Sequence, residues 1–507
     1  MGFPRASKNH DFKPHNSHLH TLNSRSFLHS QKTRSITFIY PFLTILKLLR
    51  RHAHTWLLGY LRHVLSTARH THLLPEHVIL VVADHFEPPR KSSNSLQRVT
   101  SWCAEYEQLS RKFLGSDSVS PRHTWFYRYD YPNADIVRCL ANSAFRGFGE
   151  IEFHLHHAFD TPENFSSTLT KGLAWFNTLG AMLTCDRNPQ QRFAYIAGNW
   201  ALDNGRKNPK YSGVNTELSI LREAGCYADF TFPAFGTTAQ PFQVNSIFYA
   251  TDTPRPKSYS TGTQVCVGSQ PVGDLLIFQG PLFIDWWSAY IEYSAIEAST
   301  PYESFRLPYW LKANIHVLGQ PNWVFIKLHT HGVQSASCLF LSLSKLFSDL
   351  QACQTKGYFQ VHYAVAREAY NMVRAAIDGK SGSPHLYRDY IIPPPANTKI
   401  SANVPYNLVS YCDREIFLRL LNTGTESRVT LSFPFPIALE GPNIQSIRVL
   451  LGDSCFPRLE VQGQGPVRIY GCVCRPTPPL LANHNGVAVN LPLLSEIQPC
   501  RPNEPDP

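Results

Sequence analysis

His77-Val-Ile-Leu-Val-Val-Ala-Asp84-His85-Phe-Glu87 is an apolar run that ends in ionisable groups and is closed by Pro88-Pro89. Its β-prone residues predict a strand over 77–82, ended by Ala83-Asp84-His85 and the proline breaker. Two further segments have the same form. Glu152-Phe-His154-Leu-His156-His157 and Phe325-Ile-Lys-Leu-His329-Thr-His331-Gly332 both start β-prone and finish in histidines. Ligands gather at the carboxyl ends of strands in barrels and open sheets. Three such ends within about 250 residues therefore predict one polar pocket at one end of a sheet or barrel.

Between these segments, strand and helix signals alternate. Helices are expected over 96–114, from Pro162 through 183, over 216–224 and over 361–377. Strands are expected over 147–155, 193–196, 228–232, 275–279 and 323–328, with an extended stretch over 124–130. Such alternation is the signature of an α/β domain. After a Gly/Ser/Pro-bearing link at 381–395, short strands at 416–421, 427–433, 444–451 and 467–470 predict an antiparallel β-sandwich. The chain thus divides into a polar extension (1–34), a basic amphipathic helical segment (35–76), an α/β catalytic-type domain (77–385), a β-sandwich (386–498) and a tail (499–507).

A chain of 507 residues that is 43% hydrophobic can fill two cores, and its 31 Phe, 23 Tyr and 9 Trp exclude wholesale disorder. The formal charge of +10 is weighted toward the N-terminus. A membrane surface fits that distribution better than nucleic acid, because no zinc-finger or RNA-binding signature accompanies it. The apolar run 36–46 is too short for an ordinary membrane span. Segment 35–76 either lies on a membrane or packs on the catalytic domain. The twelve cysteines form no paired CxxC site and read as buried thiols in a reducing compartment. Localisation stays open, with a cytoplasmic or membrane-associated place favoured over free secretion.

The candidate chemistry is metal-assisted hydrolysis. Asp84 ends its strand and suits a metal ligand or general base, with His85 beside it. Extended backbone puts Glu152, His154 and His156 on one face and His157 on the other. His156 is nearest the strand end; His154 is a ligand or supports one; Asp160 can join His156 through a helical turn. Zinc accepts His nitrogen and Asp oxygen and keeps a position for water. His329 and His331 share a face, so one can protonate a leaving group. Asp285 can orient such an imidazole. Trp286, Trp287, Asn199, Trp200 and Asp203 offer surface for a glycan.

These residues resemble the polysaccharide deacetylase, or NodB-like, superfamily over residues 77–380. That resemblance implies an irregular (β/α) barrel of deacetylase type, an Asp general base, an Asp-His-His metal triad and a late catalytic histidine. Asp84 stands at the first-motif aspartate, His156 with His154 or His157 at the metal-histidine motif, His329 or His331 at the late histidine, and Asp285-Trp286 at the element before it. The first motif carries Asp84-His85 where the family has two aspartates. The second has Asp160, not histidine, four residues after His156. The implied activity is removal of acetyl groups from a glycan with a divalent metal, zinc first. The alternatives are a glycoside hydrolase, or an inactive carbohydrate-binding or envelope-assembly protein.

Overall fold

The computed structural model describes residues 39–392 apart from 68–73, 91–93, 146, 180–191 and 212, and beyond these only the backbone of the strands between 401 and 491. The expected extension 1–34 and tail 499–507 lie outside the described residues.

Strands and helices alternate as expected. The order is α1 (Ile39–Leu49), α2 (Leu57–Thr67), β1 (His77–Phe86), α3 (Ser95–Ser110), β2 (His123–Arg128), α4 (Ala134–Phe145), β3 (Gly149–Leu155) and α5 (Pro162–Thr178). There follow β4 (Phe193–Ala197), α6 (Glu217–Glu223), β5 (Cys226–Asp229), β6 (Ile247–Ala250), β7 (Thr263–Gln264), β8 (Leu275–Phe278), β9 (Phe283–Asp285) and β10 (Tyr290–Glu292). The last are α7 (Leu307–Ala313), β11 (Trp323–Thr330), α8 (Ala336–Thr355), β12 (Gln360–Ala364) and α9 (Ala366–Ile377).

One mixed sheet has the order β11-β1-β2-β3-β4-β5-β8-β6-β7. β12 pairs with the first half of β1, while β2 takes its second half. Pairing is parallel from β11 to β8 and antiparallel through β6 and β7. Among the described strands this path does not close on itself. The loop after β10 lies along β11 instead, where Ala295 bridges His329.

One helix expectation fails. Residues 361–377 are not one helix: Gln360–Ala364 is a strand, and α9 starts only at Ala366. The β-prone Val361-His-Tyr363 pairs with β1, and Val365 is extended, its N–H donating to Glu368 Oε2 at 3.3 Å. Packing also continues past the expected boundary at 385. Asn371 Nδ2 donates to the carbonyls of Arg388 and Ile392, both at 2.7 Å.

The described part of segment 35–76, residues 39–67, packs on the domain. Leu48, Trp56 and Tyr60 form a buried cluster with Val244, Leu282 and Ile284. Tyr60 Oη accepts from Ile284 N–H at 3.0 Å. No described helix is long and apolar enough to cross a membrane. The C-terminal strands pair antiparallel in two four-stranded sheets, Ser401–Ala402, Ser427–Ser432, Arg458–Gly463 and Ile444–Leu450 in one, and Tyr406–Cys412, Glu415–Leu420, Arg468–Val473 and Ile437–Glu440 in the other.

The two faces of the main sheet hold two separate cores, and strand parity decides which residue joins which. On β1, Val78, Leu80 and Val82 pack with α3–α6 and α8, whereas Ile79, Val81 and Ala83 pack with α9. Side chains alternate along a strand, so His85 and Glu87 fall on the α9 face and Asp84 on the opposite one. On β3, Ile151, Phe153 and Leu155 face the first core, which turns Glu152, His154 and His156 to the other. On β11, Val324, Ile326 and Leu328 do the same and direct His329 and His331 inward.

Candidate metal centre

The inward residues at the strand ends meet around Glu87. Its Oε1 lies 3.1 Å from His154 Nε2 and 3.3 Å from His156 Nε2. Its Oε2 accepts from Arg128 Nη1 at 3.0 Å. Each imidazole is held from behind. His154 Nδ1 is 2.8 Å from the Ile196 carbonyl, and His156 Nδ1 is 3.1 Å from Asp130 Oδ1. Arg128 also bonds Asp130, tying the two carboxylates together. Gly198 permits the close approach of the next strand end: a Cβ there would stand 2.6 Å from His156 Cα.

This arrangement can hold a cation. A neutral imidazole that donates Nδ1–H to a carbonyl or carboxylate presents a lone pair at Nε2. In that tautomer the two lone pairs and the Glu87 oxygen can share one cation; with Nε2 protonated instead, each ring donates to Glu87. Burial holds His154 below its ordinary pKa. Burial also opposes charge on His156, but Asp130 and Glu87 outweigh it and raise that group. Burial alone would raise the Glu87 carboxyl; the hydrogen bonds of His154 and His156 outweigh it and hold Glu87 far below the carboxylate range. Two buried imidazoliums with rings 4.6 Å apart would repel. A single divalent ion between the three groups would satisfy all of them. Two histidines and a glutamate, with carbonyl or carboxylate partners on the outer nitrogens, form a ligand set of a known hydrolytic type.

A second triplet, His85, Glu87 and His331, shares the same carboxylate. His85 and His331 ring centres are 4.8 Å apart. His85 Nε2 is buried with no hydrogen-bond partner, and His331 Nδ1 sits 2.8 Å from Glu297 Oε1. Burial and its histidine neighbours hold His85 well below its ordinary pKa. Burial opposes charge on His331 too, yet Glu297 prevails and raises it.

Trp200 borders this group, its ring 6.1 Å from His85 and 6.3 Å from His331. It belongs to a loop in which Asn199, Trp200, Asp203 and Asn204 all have positive φ, between 46° and 56°. Non-glycine residues there each cost about 1–3 kcal/mol and persist where surrounding bonds hold them. Asp203 supplies such bonds: its N–H donates to Glu217 Oε2 and its Oδ2 accepts from Ser258 N–H, both at 2.6 Å.

Other expected residues lie elsewhere. Asp84 is fully buried on the opposite face, where it accepts from Gly332 N–H at 2.9 Å and pairs with His123 Nε2 at 2.8 Å. It holds the turn after His331 and belongs to neither triplet. Asp160 pairs with His157 at 2.9 Å, not with His156, and His157 reaches Glu217 at 3.3 Å. Asp285 accepts from Tyr309 Oη at 2.6 Å and from Trp287 N–H at 3.0 Å, and is not joined to an imidazole. Trp286 packs against the α1–α2 cluster, and Trp287 is exposed. His329 is buried by the inner group with its Nδ1 unpartnered. Burial raises Glu152 to about 8, and its carboxylate is held by Tyr227 Oη and Ala194 N–H deeper in the sheet.

His157 yields a prediction. Burial opposes its charge, but Glu217 and Asp160 outweigh that and raise its pKa to about 9. Because this exceeds the unfolded value of 6.5, protonated His157 stabilises the fold fully below pH 6.5. That contribution, on the order of 3 kcal/mol, is lost as pH rises through about 9. Denaturant unfolding of wild type and His157→Gln across this window should show the extra alkaline loss in wild type only. Equal pH slopes would refute the assignment.

No protein-family model matches the chain, and no curated protein shows significant similarity to it.

Proposed function

We propose that the protein is a metal-dependent hydrolase that removes acyl groups, most simply acetyl, from a glycan. The observation that carries this reading is the approach of His154 Nε2 and His156 Nε2 to one oxygen of Glu87, with both outer nitrogens already held. Glu87, His154 and His156 would hold the ion. A divalent ion there supplies Lewis acidity toward an acyl oxygen and makes water a nucleophile near neutral pH. Zinc suits this donor set first; manganese and iron(II) also take two histidines and a carboxylate.

His331, backed by Glu297, is the group to move a proton, and a carboxylate-paired histidine of raised pKa suits donation to a leaving alcohol or amine. Asp84 positions it through the Gly332 turn. Trp200 offers an aromatic face beside the reacting group for a sugar ring. The sheet domain is taken as a deacetylase-type barrel, and the two C-terminal sheets as an accessory sandwich. A glycosidase is less well supported: it needs two placed carboxyl groups, and Glu87 and Asp130 are committed to histidine and Arg128.

The test is metal content together with acetate release from a panel of acetylated glycans. A protein that takes up no Zn²⁺, Mn²⁺ or Co²⁺, and releases no acetate when these are added, would remove the reading and leave an inactive carbohydrate-binding protein. Reducing ends without acetate would favour the glycosidase. Contact with a membrane surface is a separate proposal. It is supported by exposed Leu49, Leu58 and Leu65 on segment 35–76 beside Arg50, and sedimentation with anionic vesicles tests it.

A further inference from the structure

At the opposite end of β1 another set of ligand-type side chains converges. His77 and His85 are eight residues apart on one extended strand, roughly 26 Å, so this set is remote from Glu87. Its members come from three places in the chain. Asp117 lies in the turn between α3 and β2, His362 on β12, and His385 on the short 3-10 turn Pro384–Tyr387. One donor atom from each lies within 4.8 Å of the other two.

Each of the three is held from behind. His362 Nε2 is 3.0 Å from His77 Nδ1. His385 Nδ1 is 2.6 Å from Ser383 Oγ. Asp117 Oδ2 accepts from Arg388 Nε at 3.0 Å and Nη2 at 2.7 Å. Orientation of a ligand's outer atom by a second group is the recurrent arrangement around protein-bound metals. His362 is fully buried, and its Nδ1 has no hydrogen-bond partner. A buried ring nitrogen without a partner costs about 1–3 kcal/mol unless something meets it.

Charge favours a cation as that occupant. Asp117 belongs to an ion-pair network in which Asp117, Glu150, Glu368 and Asp389 are linked to Arg122, Arg367 and Arg388. Four carboxylates, of which Asp389 is only partly buried, against three guanidiniums leave one negative charge in excess among the described residues of this network.

We propose that Asp117, His362 and His385 form a second, structural site for a divalent cation of zinc type. Two imidazoles and one carboxylate are ordinary zinc ligands, and a fourth position would remain for water. The ion would tie the start of β12 and the α3–β2 turn to segment 383–392, which Asn371 and Arg367 already clamp at its far end. It therefore acts on stability and not on the hydrolytic step. The inference does not depend on the proposed function.

The experiment uses the full chain, stripped with chelator and titrated with Zn²⁺. Elemental analysis after gel filtration gives the stoichiometry, and limited proteolysis reads protection of segment 383–392. His385→Asn is the principal variant because this residue is only partly buried; His154→Asn is the control at the other centre. The expected result is that His385→Asn binds one Zn²⁺ fewer than wild type and loses the zinc-induced protection and rise in Tm. His154→Asn should retain both. Should His385→Asn fail to fold, Co²⁺ absorption of wild type and Glu87→Gln, which lacks the group shared by both inner triplets, decides the matter: a retained tetrahedral Co²⁺ spectrum in Glu87→Gln supports the site. Equal stoichiometry and equal protection in wild type and His385→Asn, or no Co²⁺ spectrum in Glu87→Gln, would overturn it and leave a water-filled polar cluster. Loss of the hydrolytic metal alone shows only in His154→Asn and Glu87→Gln, so the two readings fail separately.

Discussion

Glu87→Gln should abolish tight divalent-ion binding at the inner strand ends and reduce acyl release to background. The carboxylate is the one group shared by both triplets, so an uncharged amide weakens each. Losing an outer partner of a metal ligand typically costs 10–100-fold in affinity or activity; loss of the shared ligand should exceed that, by about 10³-fold or more. Asp130→Asn, which leaves Glu87, His154 and His156 in place and disturbs the partner behind His156 together with its bonds to Arg128 and Arg90, should fall within the 10–100-fold range. The amide is isosteric, and Arg128 keeps its bond to Asp130, so circular dichroism and gel filtration should be unchanged. Isothermal titration with Zn²⁺ and an acetate-release assay measure both variants. Undiminished zinc affinity in Glu87→Gln would place the ion elsewhere and remove the proposed centre.

The location of this site was legible in the sequence; its composition was legible only in part. Three strand ends rich in histidine were expected to converge, and His85, His154, His156 and His331 do. Parity could have corrected the weight given to Asp84. His85 and Glu87 are two positions apart and share the face that meets the other histidines, so Asp84 faces away. The strand gives no polar alternation to show which face is which, because both are buried against different helices. The same argument separates His157 from His156, and Asp160 lies past the strand end, where parity no longer applies. Arg128 and Asp130 stand at the end of a stretch expected to be extended, and their strand-end position was the available signal. Glu297 and His123 left no such trace. They reach His331 and Asp84 across 34 and 39 residues of chain, and only the tertiary fold sets those distances. The β12–α9 junction was misread because Ala-rich helix propensity after residue 366 ran backward over Val361-His-Tyr363, where pairing with β1 prevails.

Arg367→Met should be the most destabilising single substitution outside the metal centre, by about 3–5 kcal/mol. Arg367 is almost fully buried on α9, and its guanidinium is bidentate with Glu150, at 3.0 Å from Nε to Oε2 and 2.9 Å from Nη2 to Oε1. Nη1 also donates to Asp389 Oδ1 and the Ile392 carbonyl, both at 2.7 Å. Methionine matches much of the side chain's volume but supplies no donor. Among the described residues Glu150 then retains only Arg122, at 3.7 Å, as a cationic neighbour, and a buried carboxylate without compensation is the costly product of such a change. For a domain of this size the loss corresponds to a Tm decrease of roughly 5–8 °C. The double variant Glu150→Gln/Arg367→Met removes the stranded charge, so it should be less destabilised than the sum of the single variants by roughly 1–3 kcal/mol. Chemical denaturation of the four proteins of this cycle measures that coupling. A value near zero would show that Glu150 finds solvent or another cation when Arg367 is removed. Acetate release per folded molecule should stay near wild type in all four, because the network contacts none of the residues around Glu87.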